Sequence, residues 1–411
     1  MEVVYPRCCG LDVHKETVVA CIMVREGGKV QKEIRTFRTV TSDLLVLHDW
    51  LLAHRVTHVG IESTGVYWKP VFNLLEGDFT VLLVNAAHLK TVPGRKTDVK
   101  DCEWIAEVLA HGLVRGSFIP PEPIRDLRDL TRYRKSLIDE RVREINRLQK
   151  LLESANIKLS SVATDILGVS GKAMLEAILS GNTNPEVLAE LAKGRLRKKL
   201  PLLKEALRGR FRPHHRFMLE QILLHLDFLD EAIAQMSEEV EDRIRPFLPE
   251  IDLLKTIPIL AQRTVEMLIA EIGVDMSRFP DERHLASWSG FCPGNNESAG
   301  KRKSGKTRKG DRWLRRGLIE VAWTASRSKK TYLHAFYHRI ARRRGHKKAA
   351  VAVAHAILVM VYHILKHKVP YQELGADYFD RLNHKYVKNH FVKRLEGLGY
   401  KVILEPTQVA A

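Results

Sequence analysis

The sequence predicts two architectures in one chain: an α/β unit over residues 1–118, followed by an all-α remainder. Three observations predict it. Short β-branched runs with period-two alternation fill the first hundred or so residues. They stop at Pro120-Pro121-Glu122-Pro123. Two long stretches beyond that point carry apolar positions at helical spacings of three and four.

The first unit reads element by element. Arg7–Val13 is a short apolar strand, and Glu16–Arg25 a second, with β-branched Thr17, Val18, Val19 and Ile22. Gly27-Gly28 makes a hairpin turn, and Lys29–Arg38 returns with Val30, Ile34 and Phe37 inward. Ser42 is expected to cap an amphipathic helix reaching about His54, with Leu44, Leu45, Leu47 and Leu51 toward the core. Thr57–Ile61 is a fourth strand, and a helix should run from about Tyr67 to Glu76. Phe79–Val84 is a fifth strand whose near-continuous apolar run implies burial on both faces. Thr97 then caps a last helix to about His111. The order is β-β-β-α-β-α-β-α, three antiparallel strands leading into parallel ones through helical crossovers. That is the succession of the ribonuclease H-like fold.

A spacer is expected over residues 119–250. Its first long helix, Arg125–Ile157, keeps Leu130, Leu137, Ile145, Leu148 and Leu152 on one side. Its second, Pro213–Phe247, spaces Ile222, Leu226, Leu229, Ile233, Met236 and Val240 by alternate fours and threes. Antiparallel pairing within the chain and coiled-coil dimerisation would each bury these stripes. Residues 251–371 read as a helical domain with one long basic loop, Cys292–Asp311, and residues 372–411 as a short, weakly patterned basic tail. The apolar run Ala349–Leu365 is short for a membrane span and carries His355 and His363, so it reads as a core helix. No signal-peptide pattern opens the chain, and no membrane partner is expected.

The charge is lopsided: 67 Lys+Arg against 49 Asp+Glu give a net +18, and the excess is clustered, which points to nucleic acid. Five cysteines form no CxxC pair, which suits a reducing cytoplasm and argues against a structural zinc site.

Four acids stand at element ends. Asp12 ends the first strand and Glu62 the fourth; Asp98 and Asp101, three apart, open the last helix of the unit on one face. In a sheet of this order strands one and four are neighbours, and the last helix packs across them. Carboxylates gathered there need cations between them, and hard oxygen donors with room for water suit two Mg²⁺ ions, or Mn²⁺. Capping and dipole compensation are the plainer roles for each acid taken singly. A strand-one Asp after a hairpin also occurs in sugar kinases and actin-like ATPases, but those need a second copy of the fold, and here only helices follow.

The basic loop carries Lys301, Arg302, Lys303, Lys306, Arg308, Lys309, Arg312, Arg315 and Arg316 against Asp311 alone, with Gly300, Gly305 and Gly310 opening the backbone to phosphates. Ser298 or Ser304 is a candidate nucleophile if a base, cation or metal activates it; a plain nucleic-acid-binding loop is the alternative. The proline turn in LKTIPILAQRTVEMLIAEIG resembles a helix-hairpin-helix without its glycines, and ordinary helix packing is the simpler reading. His334/His338 and His363/His367 are i, i+4 pairs without a third ligand and read as helix faces. Trp68 and Trp104 are expected to wall the carboxylate cluster, and Trp288, Trp313 and Trp323 to be core.

GLDVHKE, GIESTGVYW and GRKTDVKDCEW, then a long helical spacer and LASWSGFCPGNNESAGKRKSGK, together resemble the IS-one-ten family of insertion-sequence transposases over residues 1 to about 371. The resemblance implies a RuvC-like domain whose DEDD tetrad is Asp12, Glu62, Asp98 and Asp101, a coiled-coil spacer, and a C-terminal transposase domain whose serine is Ser298, with Ala299 where the family has glycine. It implies excision and insertion of a mobile element through circular double-stranded DNA. It further implies a covalent serine–phosphate link, guidance by a structured bridge RNA, and a composite active site in a dimer or tetramer. A bacterial, nucleoid-associated cytoplasmic enzyme is expected. The alternative on the same residues is a RuvC-like nuclease or junction resolvase in which water attacks, or a nucleic-acid-binding module with a decayed core.

Overall fold

The computed structural model describes residues 2–63, 65–85, 89, 101–294 and 296–405, apart from the side chains of residues 296–298, 302 and 303. The chain divides into two compact units, Met1–Ile119 and Pro120–Ala411.

The first unit is built on a five-stranded mixed sheet. β1 (Arg7–Val13), β2 (Thr17–Glu26) and β3 (Lys29–Arg38) form an antiparallel meander; β4 (His58–Glu62) and β5 (Thr80–Val84) join in parallel, giving the order β3-β2-β1-β4-β5. The β2–β3 turn is tight because Gly27 and Gly28 both take positive φ, 58° and 78°, which matches the twist of the flanking strands. Strands one and four are neighbours, as the sequence requires.

Period two divides the sheet into faces. Cys9, Leu11, Val13, Val59 and Ile61 pack with helices α1 (Thr41–Ala53) and α2 (Trp68–Leu75). Cys8, Cys21 and Met23 pack on the other face with α3 (Asp101–Ala110). Three details differ from the sequence reading. Val40, not Ser42, is the N-cap of α1 and no side chain caps it; Asp43 supplies negative charge in the first turn and accepts from Arg38 Nε at 2.9 Å. Leu45 is exposed, because the buried stripe runs through Leu44, Leu47, Trp50 and Leu51. β5 is an edge strand, so Val81 and Leu82 are only half-buried.

In the second unit α4 (Glu122–Ser154) and α5 (Pro213–Ile244) lie antiparallel: Asp126 meets Arg243 at 3.4 Å, Arg141 Nη2 meets Asp230 Oδ2 at 3.1 Å, and Ser154 meets His215 at 3.4 Å. The predicted stripes are buried against each other, Leu137 with Leu229 and Ile233, and Leu148 with Ile222 and Leu226. Short helices between residues 159 and 206 close one end of the pair through Leu159, Met174, Leu175 and Leu203. The helices that follow include α6 (Leu248–Lys255), α7 (Gln262–Ile272), α8 (Glu282–Trp288), α9 (Arg312–Ala325), α10 (Tyr332–Arg344) and α11 (His346–His367). α11 holds the long apolar run, and Ala349, Val353, Ile357, Leu358 and Val361 are buried in it, in keeping with a core helix. The tail contains a further helix, α12 (His384–Glu396), which buries none of its side chains; without a packed face its sequence pattern is weak.

Candidate carboxylate centre and serine hairpin

Gly10 of β1 and Gly60 of β4 pair in register, and each lies on the face covered by α3. A Cβ on Gly10 would stand 2.1 Å from the Cys102 carbonyl oxygen and 2.5 Å from the Ala106 nitrogen; one on Gly60 would stand 2.8 Å from Ile105 Cγ2. Only glycine lets a helix backbone approach this closely. The helix is tied at its side by Arg25–Glu107 and by Lys32–Glu103 at 2.6 Å.

This docking positions the acids. Two residues beyond each glycine, and so on the same face, come Asp12 and Glu62. The last registered pair of the two strands is Leu11–Ile61, so Asp12 and Glu62 follow at one level on strands about 4.8 Å apart. The Asp12 side chain is 18% exposed and its Oδ2 lies 3.2 Å from His14 Nε2, a partner the sequence reading missed. Glu62 is half-buried and pairs in the backbone register with Val84 of β5. Asp101 is the first described residue of α3 and is exposed. Asp98 and Thr97 lie outside the described residues. Among the described residues no three His, Cys, Asp or Glu side chains are grouped to hold a metal ion. Asp12, Glu62 and Asp101 each offer carboxylate oxygens that are not fully buried, a donor type that suits a hard divalent cation and not a soft one.

Trp68 does not wall this centre. It packs against the cluster on the opposite face of the sheet, whereas Trp104 is a buried residue of α3 whose indole N–H donates to the Leu89 carbonyl at 3.4 Å. Burial pushes the Cys8 and Cys21 thiols up to about 12 and Cys9 well above its ordinary value, so these are inert core residues.

The expected basic loop contains a hairpin, β6 (Asn296–Ser298) with β7 (Lys301–Ser304), in which Ser298 pairs with Lys301. Its turn residues Ala299 and Gly300 both have positive φ, 51° and 71°, so a non-glycine residue occupies a left-handed position beside the serine. Neither strand carries the usual β-branched alternation: β6 is Asn-Glu-Ser and β7 Lys-Arg-Lys-Ser. Lys301, Lys306, Arg308, Lys309 and Arg312 are exposed. Arg315 is turned inward: it donates to the Gly290 carbonyl and, at 2.9 Å, to Thr307, and lies over Phe291. Arg316 pairs with Asp139 at 2.8 Å and Glu320 at 3.1 Å.

Below the hairpin lies a charge network absent from the sequence reading. Glu271, 1% exposed, accepts two bonds of 2.7 Å from Arg132, which also reaches Asp311 at 2.9 Å. Asp311 in turn caps α9, accepting from Trp313 and Leu314 amides at 2.8 Å. Arg128 donates to the Ala270 and Glu271 carbonyls at 3.1 and 2.6 Å, closing the C-terminus of α7. Burial pushes the Glu271 carboxyl up to about 7 against the pull of these guanidiniums. Of the tryptophans expected in the core, Trp288 is half-buried on Phe279, Trp323 is 39% exposed, and Trp313 is half-buried beneath Arg132 and Arg312.

Two family models match the chain. One, described as a transposase and named for the DEDD transposases of IS110, covers residues 9–157; the other, described as the IS116/IS110/IS902 transposase family, covers residues 251–338. The chain is 26% identical over 270 residues to the "Insertion element IS116 uncharacterized 44.8 kDa protein" of Streptomyces clavuligerus, spanning 57% of this chain and 65% of that protein. It is 25% identical over 391 residues to the "Pilin gene-inverting protein" of Moraxella bovis, spanning 89% of this chain and 97% of that one.

Proposed function

Because the chain belongs to the IS-one-ten (IS110/IS116/IS902) family of transposases, we propose that it is a metal-dependent DNA recombinase that moves an insertion sequence. The observation that carries the proposal is the placement of Asp12 and Glu62 at one level on adjacent strands, on the face that α3 covers from Asp101 onward. In this reading Asp12, Glu62, Asp98 and Asp101 hold two Mg²⁺ ions within a ribonuclease H-like, RuvC-like domain. When bound, the ions neutralise the carboxylates and stabilise charge on a DNA phosphate. Ser298 is the nucleophile: its Oγ forms a bond to phosphorus, the P–O bond to one deoxyribose breaks, and that sugar leaves as a hydroxyl, taking up a proton as the serine loses one. Attack by a new strand's hydroxyl reverses the step and frees the serine. Lys301, Arg302, Lys303, Lys306, Arg308, Lys309 and Arg312 neutralise DNA or RNA phosphates, with Arg315 and Arg316 holding the loop's base. Double-stranded DNA, a structured bridge RNA and further copies of the chain, as a dimer or tetramer, are the proposed partners, and the bacterial cytoplasm, at the nucleoid, the site of action.

The test is strand joining by Asp12→Ala, Glu62→Ala, Asp101→Asn and Ser298→Ala proteins, with covalent protein–DNA adducts followed on denaturing gels. All four are expected to lose joining, and Ser298→Ala to lose the adduct as well. Joining by Ser298→Ala at the wild-type rate would move the nucleophile to Ser304 or to water. Co-purified RNA, once sequenced, tests the guide.

A further inference from the structure

A cavity of 430 Å³ opens in the second unit among α4, α7 and α9. Its volume is that of a small-molecule site. Met267, Val321 and Trp313 give it apolar and aromatic walls; Arg132, Lys135 and Arg263 give it positive ones. In all, five Arg or Lys line it against two Glu, so an anionic guest is favoured. Most of these cations are already engaged: Arg132 with Glu271 at 2.7 Å, Arg134 with Glu266, Lys135 with Glu320 at 3.3 Å and Arg316 with Asp139. Arg263 is exposed and makes no ion pair among the described residues. The cavity therefore has one uncommitted cation, an indole in its wall, and a guanidinium 5.9 Å from that indole's centre. Planar aromatic rings stack on both kinds of surface, and one cation suffices for one phosphate.

We propose that this cavity binds a single nucleotide, its base against Trp313 and its phosphate on Arg263. The source of the nucleotide, an unstacked base of a bound strand, rests on the recombinase reading; the pocket's chemistry does not. Arg132 in the cavity wall bonds both Glu271 and Asp311, the residue that ends the basic loop. An occupied pocket would thus brace α9 and the loop that precedes it.

Titration calorimetry of the full chain with deoxyadenosine monophosphate and with deoxyribose 5-phosphate tests the proposal. The base-bearing probe is expected to bind at least tenfold more tightly. Trp313→Ala, which removes the stacking wall, and Thr264→Phe, which fills the cavity, are each expected to erase that preference; Arg263→Ala should weaken both probes alike. Equal binding of the two probes by the wild-type chain would overturn the proposal, leaving an anion site at most. So would a preference that survives in both cavity variants. Strand joining by the wild-type chain reads independently: equal binding of the two probes with joining present sinks the pocket alone, and a base preference without joining sinks the recombinase reading alone.

Discussion

Gly10 and Gly60 face each other across β1 and β4, and α3 rests directly on both. The contact fixes how α3, described from Asp101 onward, meets the strands that carry Asp12 and Glu62 near their ends.

The two glycines should respond unequally to the same methyl group. At Gly10 the added carbon meets helix backbone at 2.1 Å, and α3 has to move; at Gly60 it meets a side-chain methyl, Ile105 Cγ2, at 2.8 Å, and a smaller shift relieves it. Gly10→Ala is expected to cost about 3 kcal/mol in urea melts, the upper end of overpacking penalties, and Gly60→Ala about 1 kcal/mol. Equal costs would mean that α3 does not dock as described.

Much of this arrangement was legible in the sequence. The strand order followed from alternation, the Gly27-Gly28 turn and the crossover lengths, because the first unit's hydrophobic faces are cleanly periodic. The long helices followed from their stripes. What stayed hidden depends on contacts between distant residues. Gly10 and Gly60 read as ordinary strand glycines until α3 is laid on them. The pairing of Arg132 with Glu271 spans much of the second unit, and neither residue stands in a motif. Trp313 and Trp323 were assigned to the core by residue type, yet their helix faces turn toward a cavity and toward solvent. The β6–β7 hairpin carries no β-branched alternation to mark it.

The buried network should show coupling. Arg132→Met leaves Glu271 buried with Arg128 as its remaining cationic partner and is expected to cost about 3 kcal/mol. The Arg132→Met/Glu271→Met double variant removes charge from both sides and should cost less than the sum of the single changes. Denaturant unfolding of the four proteins gives the coupling term, and strict additivity would contradict the described pairing.

His215 should make the long helical pair acid-sensitive. It is 2% exposed, and its Nδ1 accepts from the Arg212 amide at 3.2 Å, so its neutral form caps α5. Burial, then the neighbouring His214 and Arg212, lower its pKa below the ordinary 6.5. The unfolded chain therefore takes up the proton first as pH falls: the native state is fully favoured above 6.5 and loses stability below it, until the folded form also protonates. Thermal melts from pH 8 to 5 should show a decline that His215→Asn, which still offers a cap acceptor, reduces. A decline unchanged in that variant would assign it to other groups.

Ala299 carries a left-handed backbone at φ 51°. Ala299→Gly should relieve about 1 kcal/mol at the turn, seen as slower hydrogen exchange across residues 296–304. Ala299→Val should speed exchange there. The reverse order would show that the turn is not of this type.

Manganese binding tests the central claim most directly. Electron paramagnetic resonance titration of the full chain reports bound Mn²⁺ without requiring DNA, RNA or catalysis. Wild-type protein is expected to bind the ion, and Asp12→Ala and Glu62→Ala, each folded by circular dichroism, are each expected to weaken binding at least tenfold. Binding that is unchanged in both variants would contradict a shared site at the ends of β1 and β4.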